Sequence, residues 1–304
     1  MNGVNLSINR EGIGILKIDR PSVRNALNWA AMNAFASAIE AAHRSRKLKT
    51  LILTGGGSSF VSGGDLSELV HYPHREDGLR LATIMGDALK RLEELACPTI
   101  AAINGPARGG GAEMAVACDL RIISGDADIG FVHARLGIIT AWGGGQRLMR
   151  LVGYANALEL MTTAKVLSAK EAVRLGLASL MTPVGQAVAE AKKLASEIAA
   201  NPPAAVQAAK RALRNGLMQD LEQALMSERE EFPSLWDTDF RRKTVERFLN
   251  KSKSKNSSHT KTRAAEVSAC CAGCRSLLKS PPTCQVQCQP AGRVSGRSPR
   301  RENA

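Results

Sequence analysis

The stretch PTIAAINGPARGGGAEMAVACDLRI, residues 98–122, contains the pattern that decides the fold. A short apolar run at about 98–103 leads into a glycine-rich loop, which is followed by an apolar helical pattern at Gly110–Cys118. A second apolar run then follows at about 119–124. Short apolar runs bounded by turn residues predict buried strands, so the order is strand, helix, strand. Units of this kind favour an α/β fold with a mainly parallel sheet.

The same alternation extends towards the N-terminus. Apolar runs predict further strands at about 4–8, 13–18 and 50–54. Helical spacing predicts helices from Asn28, a good N-cap, to about Arg46, and over about Leu79–Leu95.

From Gly144 to Asn250 the pattern changes to successive helices, with one short strand near 179–183. The segment NPPAAVQAAKRALRNG has proline where a helix would start and glycine where it would end. The sequence therefore predicts an α/β core, about residues 1–200, followed by a helical region at about 201–251.

Charge is concentrated at the C-terminal end. Residues 251–304 carry 11 Lys/Arg and 2 Asp/Glu, a net charge of +9, whereas the other 250 residues carry 30 and 26, a net charge of +4. This end also holds five of the seven cysteines and is rich in Ser and Pro. Such a composition cannot bury enough apolar surface to offset its ordering entropy, so 252–304 is predicted to be a disordered basic tail. Zinc binding by CCAGC and CQVQC, or polyanion binding by charge, are alternatives for this tail.

The rest of the composition restricts the class of protein. With 44% hydrophobic residues, 304 residues suffice for a sizeable core. No run of 18 apolar residues occurs, so no membrane span is expected. The N-terminus has neither a secretory nor a transit pattern, and a cytoplasmic location is expected.

Two glycine-rich loops follow predicted strands, VSGGDL at 61–66 and GPARGGGAE at 105–113. Neither fits a P-loop or a dinucleotide-binding motif. Loops after parallel strands emerge at one edge of the sheet, where ligands of α/β folds bind. Glycine lets a substrate approach the backbone closely, and two such loops can direct backbone N–H groups at one oxygen. The pattern therefore indicates an oxyanion hole.

Five stretches together resemble the crotonase (enoyl-CoA hydratase/isomerase) superfamily: RPSVRNALN, LILTGGGSSFVSGGDLSEL, PTIAAINGPARGGGAEMAVACDLRI, LGIITAWGGGQRLMRLVG and LSAKEAVRLGLAS. The resemblance covers about residues 4–251. It implies a spiral of ββα units with a helical C-terminal trimerisation region, in a homotrimer or a dimer of trimers. It implies no metal and no separate cofactor, because coenzyme A is part of the substrate. Membrane and nucleic-acid partners are not expected.

The resemblance also assigns roles to residues. It implies that Gly64 and Gly110 supply the oxyanion N–H groups and that Glu113 is a catalytic acid or base. Asp65 is interpreted as holding the loop, and Trp142 as lining the acyl pocket or as packing. The residues assigned to the substrate and coenzyme A site are Arg24, Ala26, Leu27, Gly64, Asp65, Leu66, Gly110, Trp142, Phe248 and Lys251. Where hydratases often have a lysine after this loop, the chain has Ser67.

His133 stands where hydratases have a second catalytic glutamate. The segment FVHARLGIITAWGGG, 131–145, resembles instead the ethylmalonyl-CoA decarboxylase branch of the superfamily. A malonyl-type substrate brings its own carboxylate, which two glutamates would repel, and a histidine removes one negative charge. The sequence therefore predicts decarboxylation of a short branched malonyl-CoA, with the enolate protonated by Glu113, His133 or a water.

Two other functions are alternatives. Glu113 alone favours an enoyl-CoA hydratase or isomerase of fatty-acid metabolism. A non-enzymatic scaffold that acts through its basic tail is an alternative of a different class.

Overall fold

The computed structural model describes residues 3–250 of the chain. One compact unit ends at Arg241, and a second begins at Arg242. The described residues of the second unit, 242–250, are helical. The predicted tail at 252–304 lies outside the described residues, and the predicted division of the chain at residue 251 stays a prediction.

Six strands of the first unit form one sheet in the order β1-β2-β3-β4-β6-β9. The β1–β2 pair is antiparallel and the other pairs are parallel. A smaller sheet has the order β5-β7-β8. The strands are β1 Val4–Ile8, β2 Ile13–Ile18, β3 Thr50–Gly55, β4 Thr99–Ile103, β5 Ala107–Arg108, β6 Leu120–Ser124, β7 Asp128–Gly130, β8 Val166–Ser168 and β9 Leu180–Thr182.

Helices cover both faces of the large sheet. They are α1 Trp29–Arg44, α2 Leu66–Leu69, α3 Arg75–Glu93, α4 Gly110–Val116, α5 Gly144–Val152, α6 Tyr154–Thr163, α7 Ala169–Arg174, α8 Ala187–Ala199, α9 Pro203–Gly216 and α10 Leu221–Trp236. Short 3₁₀ helices span Pro21–Val23 and Val132–Leu136. No helix among residues 3–250 has the length and apolar character needed to cross a membrane.

The central strand β3 explains why the sheet is covered on both faces. All six of its residues are buried, as expected of a parallel strand between two helical layers. On one face, α8 contributes alanines at every fourth position, which lets the helix approach the sheet closely. On the other face, α1 contributes larger apolar side chains, including Met32, Phe35 and Ile39. The main core lies on this second face.

The predicted α/β architecture and all six predicted strands are confirmed, the short one near 179–183 as β9. The Asn28 side chain accepts a hydrogen bond from Ala31 N at 2.9 Å, as an N-cap should. The predicted succession of helices after Gly144 was incomplete, because β8 interrupts it and pairs with β7. Helix α3 begins at Arg75 rather than near Leu79, and Asp77 accepts from His74 N–H at 3.1 Å in its first turn.

An ion pair ties α9 to the starts of β4 and β6. Lys210 Nζ lies 2.7 Å from Asp119 Oδ2, and its side chain is only 8% exposed. The same carboxylate oxygen accepts from Thr99 N at 2.7 Å. Two free cysteines lie nearby, and burial raises the pKa of Cys97 to about 11 and that of Cys118 to about 12. Both thiols are therefore un-ionised and unreactive at neutral pH.

Candidate active site

A cavity of about 330 Å³ lies where the loops after β3 and β4 meet. Its wall includes Gly64 and Leu66 from the first loop, and Gly110 and Glu113 from the second. The 3₁₀ helix at Val132–Leu136 and the turn before α5 close the cavity, contributing His133 and Trp142. The fold thus brings together the sequence-predicted residues Gly64, Leu66, Gly110, Glu113, His133 and Trp142.

The first glycine-rich loop pairs through its backbone with the second loop, where Arg108 N–H donates to Val61 O at 3.0 Å, and also with Leu27. Leu27 N–H donates to Gly63 O at 2.8 Å, and Asp65 N–H donates to Leu27 O at 2.9 Å. These bonds engage the residues on either side of Gly64 and leave its own N–H without a protein acceptor within residues 3–250. Gly110 N–H, in the first position of α4, is likewise without one in that part of the chain.

The two free N–H groups belong to segments in close contact. A Cβ atom at Gly63 would lie 3.2 Å from Gly110 N, and Gly63 has a φ of +101°, which only glycine adopts readily. Two unsatisfied backbone donors at the wall of one cavity form the kind of site that binds a developing oxyanion.

One buried asparagine holds the segment before the first loop. The Asn25 side chain donates to three carbonyl oxygens, those of Gly56, Ser59 and Phe60, at 2.9, 2.8 and 3.1 Å. Its oxygen accepts from Arg20 N at 2.8 Å. Sequence reasoning missed this residue; the structure shows it with a left-handed φ of 60°, a conformation that asparagine tolerates.

Glu113 is almost completely buried, with 1% exposure. Its Oε2 accepts two backbone hydrogen bonds, from Trp142 N and Gly144 N, each at 2.8 Å. Backbone N–H groups can only donate, so they fix Oε2 as an acceptor and leave Oε1 for other partners.

His133 is that partner. Its Nε2 lies 3.0 Å from Glu113 Oε1, and its side chain is 11% exposed. Because the carboxylate oxygen accepts, the geometry assigns the proton to Nε2. The other ring nitrogen, Nδ1, is buried and has no hydrogen-bond partner within the described chain. The site therefore contains a coupled imidazole–carboxyl pair instead of two carboxyl groups.

Trp142 packs directly on the second loop. A Cβ atom at Gly110 would lie 2.2 Å from Cζ3 and 2.3 Å from Cη2 of the indole. The ring therefore occupies the space above the Gly110 Cα, and its 3% exposure marks it as a fixed part of the wall. Trp142 thus packs on Gly110 and lines the cavity, and its role in an acyl pocket stays a prediction.

The charges around the cavity are mainly positive. Arg108 and Arg135 line it, and Glu113 is the only carboxyl among the described lining residues. Arg108 forms a two-bond ion pair with Asp128, while Arg135 donates to the carbonyl of Ala164 at 2.7 Å. Both arginines and Glu113 are therefore engaged in hydrogen bonds within the protein.

Asp65 does not line the cavity. Its carboxylate lies 3.4 Å from Arg20 Nη2 and accepts from Ser67 Oγ at 2.6 Å. These contacts, together with its backbone bond to Leu27, support the interpretation that Asp65 holds the loop.

The remaining predicted residues are those assigned to coenzyme A. Arg24 is exposed, whereas Ala26 and Leu27 are buried, and none of them lines the cavity. Phe248 belongs to the second unit and is 72% exposed there. Lys251 lies outside the described residues. The contacts of these four residues and of Lys251 with coenzyme A stay predictions.

The sequence matches the model of the family described as Enoyl-CoA hydratase/isomerase over residues 9–258. It is 36% identical over 251 residues to the short-chain-enoyl-CoA hydratase of Clostridium acetobutylicum, which covers 82% of this chain and 96% of the relative. It is 33% identical over 237 residues to the ethylmalonyl-CoA decarboxylase of Gallus gallus, covering 77% of this chain and 79% of the relative.

A solved structure gives the same result for the fold. The crystal structure of an enoyl-CoA hydratase from Bacillus anthracis superposes with a TM-score of 0.78 at 32% identity, over 82% of this chain and 96% of that one. The predicted crotonase-type fold is confirmed, and trimerisation through the helical region stays a prediction.

Proposed function

Because the chain belongs to the enoyl-CoA hydratase/isomerase family, we propose that it decarboxylates a short branched malonyl-CoA, such as ethylmalonyl- or methylmalonyl-CoA. The observation that carries the proposal is the distance of 3.0 Å between His133 Nε2 and Glu113 Oε1. The wall around this pair contains no second carboxyl group among its described residues. The similarity to the ethylmalonyl-CoA decarboxylase of Gallus gallus supports the same reaction.

Electrostatics favour an acyl group that carries a carboxylate. Two carboxylates about 4 Å apart repel by about 4 kcal/mol at an effective dielectric constant of 20. A second glutamate at position 133 would add such a repulsion, whereas His133 brings no negative charge and donates a hydrogen bond to Glu113 Oε1. Arg135 adds positive charge to the same wall, whereas the charge of Arg108 is compensated by Asp128.

The chemical step needs an electron sink and a proton source. The bond between C2 and the substrate carboxylate breaks, CO₂ leaves, and the electron pair is delocalised into the thioester as an enolate. The free N–H groups of Gly64 and Gly110 stabilise the enolate oxygen, and each donor of this kind lowers a barrier by about 3 kcal/mol. C2 then takes up a proton, for which Glu113 and His133 are the nearest protein groups.

Hydration or isomerisation of an enoyl-CoA is the second candidate, favoured by the similarity to the Clostridium acetobutylicum hydratase. Hydration by two carboxyl groups would lack one of them here, since His133 replaces it. Isomerisation needs a single base beside the oxyanion hole, and Glu113 is that base.

Assembly is part of the proposal. Helices α9 and α10 expose large apolar side chains, among them Leu213, Leu221 and Phe232 at 75%, 75% and 57% exposure. An apolar surface of this kind fits burial against another copy, and we expect a homotrimer or a dimer of trimers. Light scattering of the purified protein measures this directly.

The reaction is tested with purified protein and ethylmalonyl-CoA, by following butyryl-CoA and CO₂ with mass spectrometry. We expect release well above the uncatalysed rate, and a loss of about 10²–10⁴-fold in Glu113→Gln. His133→Glu, which restores a second carboxyl group, should lower CO₂ release and raise hydration of crotonyl-CoA. Hydration of crotonyl-CoA by the unaltered protein without any release of CO₂ would reject the decarboxylase in favour of the hydratase.

A further inference from the structure

We infer that Arg147, held by Glu93, is a positioning residue that fixes the carboxylate of Glu113 through the turn at residues 142–144. The inference rests on the proposed function only in requiring that Glu113 acts on the substrate. Arg147 does not line the cavity around Glu113 in the part of the chain that the structure describes. Its effect must therefore pass through other groups.

The guanidinium of Arg147 connects two separate parts of the fold. Its Nε and Nη2 donate to the two carboxylate oxygens of Glu93, both at 2.8 Å. Its Nη1 donates to the backbone carbonyl of Trp142 at 2.7 Å. The Arg147 side chain is 12% exposed and that of Glu93 is 28% exposed. Only a planar group with several fixed donors can make all three bonds at once.

The turn that Arg147 holds is the one that binds Glu113. Trp142 and Gly144 each direct a backbone N–H at Glu113 Oε2, at 2.8 Å. Both backbone polar groups of Trp142 are therefore bonded, its N–H to Glu113 and its carbonyl to Arg147.

Gly143, between the two donors, is adapted to this arrangement. Its φ is +86°, and a Cβ atom there would lie 2.7 Å from Arg147 Nη1. A side chain at position 143 would compete with the guanidinium for its place, so glycine is required both by the conformation and by the contact.

The consequence concerns Oε1, the oxygen that faces His133. With Oε2 anchored to a turn that cannot shift, the other oxygen keeps its distance of 3.0 Å from His133 Nε2. Without Arg147 the turn loses the partner of one buried carbonyl and becomes free to move. A displacement of about 1 Å at a reacting group lowers the rate by about 10²-fold.

The test compares Arg147→Met with Arg150→Met, its matched control, because Arg150 is exposed on the same helix, α5. Each variant is assayed for CO₂ release from ethylmalonyl-CoA and for exchange of the C2 protons of butyryl-CoA in D₂O. We expect Arg147→Met to lower kcat by about 10–100-fold with KM within threefold, and the control to match the unaltered protein. In a Glu113→Gln background the same change should lower the residual rate less than threefold, because the group on which it acts is gone.

An NMR measurement that needs no substrate accompanies the kinetic assays. The ¹H–¹⁵N signals of the His133 ring report its bond to Glu113, and we expect them to shift in Arg147→Met and to stay unchanged in Arg150→Met. Where Arg147→Met fails to fold, Arg147→Lys and Glu93→Gln replace it, with smaller effects in the same direction.

Three results would overturn the inference: an unchanged kcat, an equal loss in the Glu113→Gln background, or unchanged His133 signals. Failure of the proposed function gives a different pattern. The unaltered protein then releases no CO₂, while proton exchange and the ring signals still test the role of Arg147.

Discussion

Replacing Gly110 with alanine should disrupt the site far more than the same change at Gly64. The two glycines have the same predicted role, and neither has the positive φ that would exclude alanine on backbone grounds. Both variants keep the backbone N–H, so the difference between them depends on what the added methyl group meets.

At Gly110 the methyl group meets a rigid wall. It would lie 2.2 and 2.3 Å from two carbons of the Trp142 ring, whereas carbon atoms in contact need about 3.5 Å. The ring would have to withdraw by roughly 1.2 Å, although it is buried and its backbone is bonded on both sides. Overpacking of this kind costs about 1–3 kcal/mol, against a gain of up to about 1 kcal/mol from alanine in a helix. A net loss of up to about 3 kcal/mol in the free energy of unfolding follows, with a midpoint of about 1.5 kcal/mol.

At Gly64 the methyl group meets a side chain that can move. The nearest atom is the terminal Cδ1 of Leu69, at 2.7 Å, and Leu69 is only half-buried. A change of its rotamer relieves the contact, so the stability of Gly64→Ala should stay within about 0.5 kcal/mol of the parent.

The catalytic activity should also be lower in Gly110→Ala than in Gly64→Ala. The shift of Trp142 in Gly110→Ala moves the N–H that anchors Glu113, and a displacement of about 1 Å there lowers kcat by about 100-fold. Urea unfolding curves and the rate of CO₂ release from ethylmalonyl-CoA measure the two effects. Equal stability in the two variants, or a Gly110→Ala enzyme with parental kcat, would refute the account of the Trp142 wall.

Two further predictions concern stability. The pKa values of Cys97 and Cys118, raised by burial from 9.0 to about 11 and about 12, keep both thiols protonated in the folded state while the unfolded chain ionises them. The free energy of unfolding should therefore fall as pH rises above about 9, by about 2 kcal/mol per thiol at pH 10.5. The urea midpoints of the parent and of the double alanine variant, measured against pH, test this. Midpoints that fall equally steeply with pH in both proteins would contradict it. Lys210→Met leaves Asp119 without its cation and should cost about 1–3 kcal/mol, whereas Lys192→Met, at an exposed position, should cost less than 0.5 kcal/mol. Equal losses in thermal unfolding would show that the ion pair contributes nothing.

The sequence was sufficient to predict the strands and helices whose buried residues form a continuous or periodic apolar pattern. Strand β3 is a continuous apolar run in the sequence because both of its faces are covered. Helix α1 has its apolar residues at helical spacing after the cap at Asn28. The small sheet could not be predicted in this way. Its strands span two or three residues each, which is too short for any period to appear.

The candidate active site likewise contains residues that the sequence predicts and residues that it does not. Gly64, Gly110, Glu113 and His133 stand in short motifs after strands, and the fold brings them to one cavity. Arg147 and the residues that hold the loops act through backbone carbonyls and carboxylates distant in the chain, so no local pattern marks them. Such contacts become visible only when the fold is known.

The anchoring of one Glu113 oxygen by two backbone donors has a stereochemical consequence. In the proposed reaction, the two protein groups predicted to protonate C2, Glu113 and His133, form one pair 3.0 Å apart, so an enolate bound by the Gly64 and Gly110 N–H groups would meet them from a single direction. Butyryl-CoA formed from ethylmalonyl-CoA in heavy water would then carry one deuterium at C2, in one enantiomeric configuration rather than as a racemate.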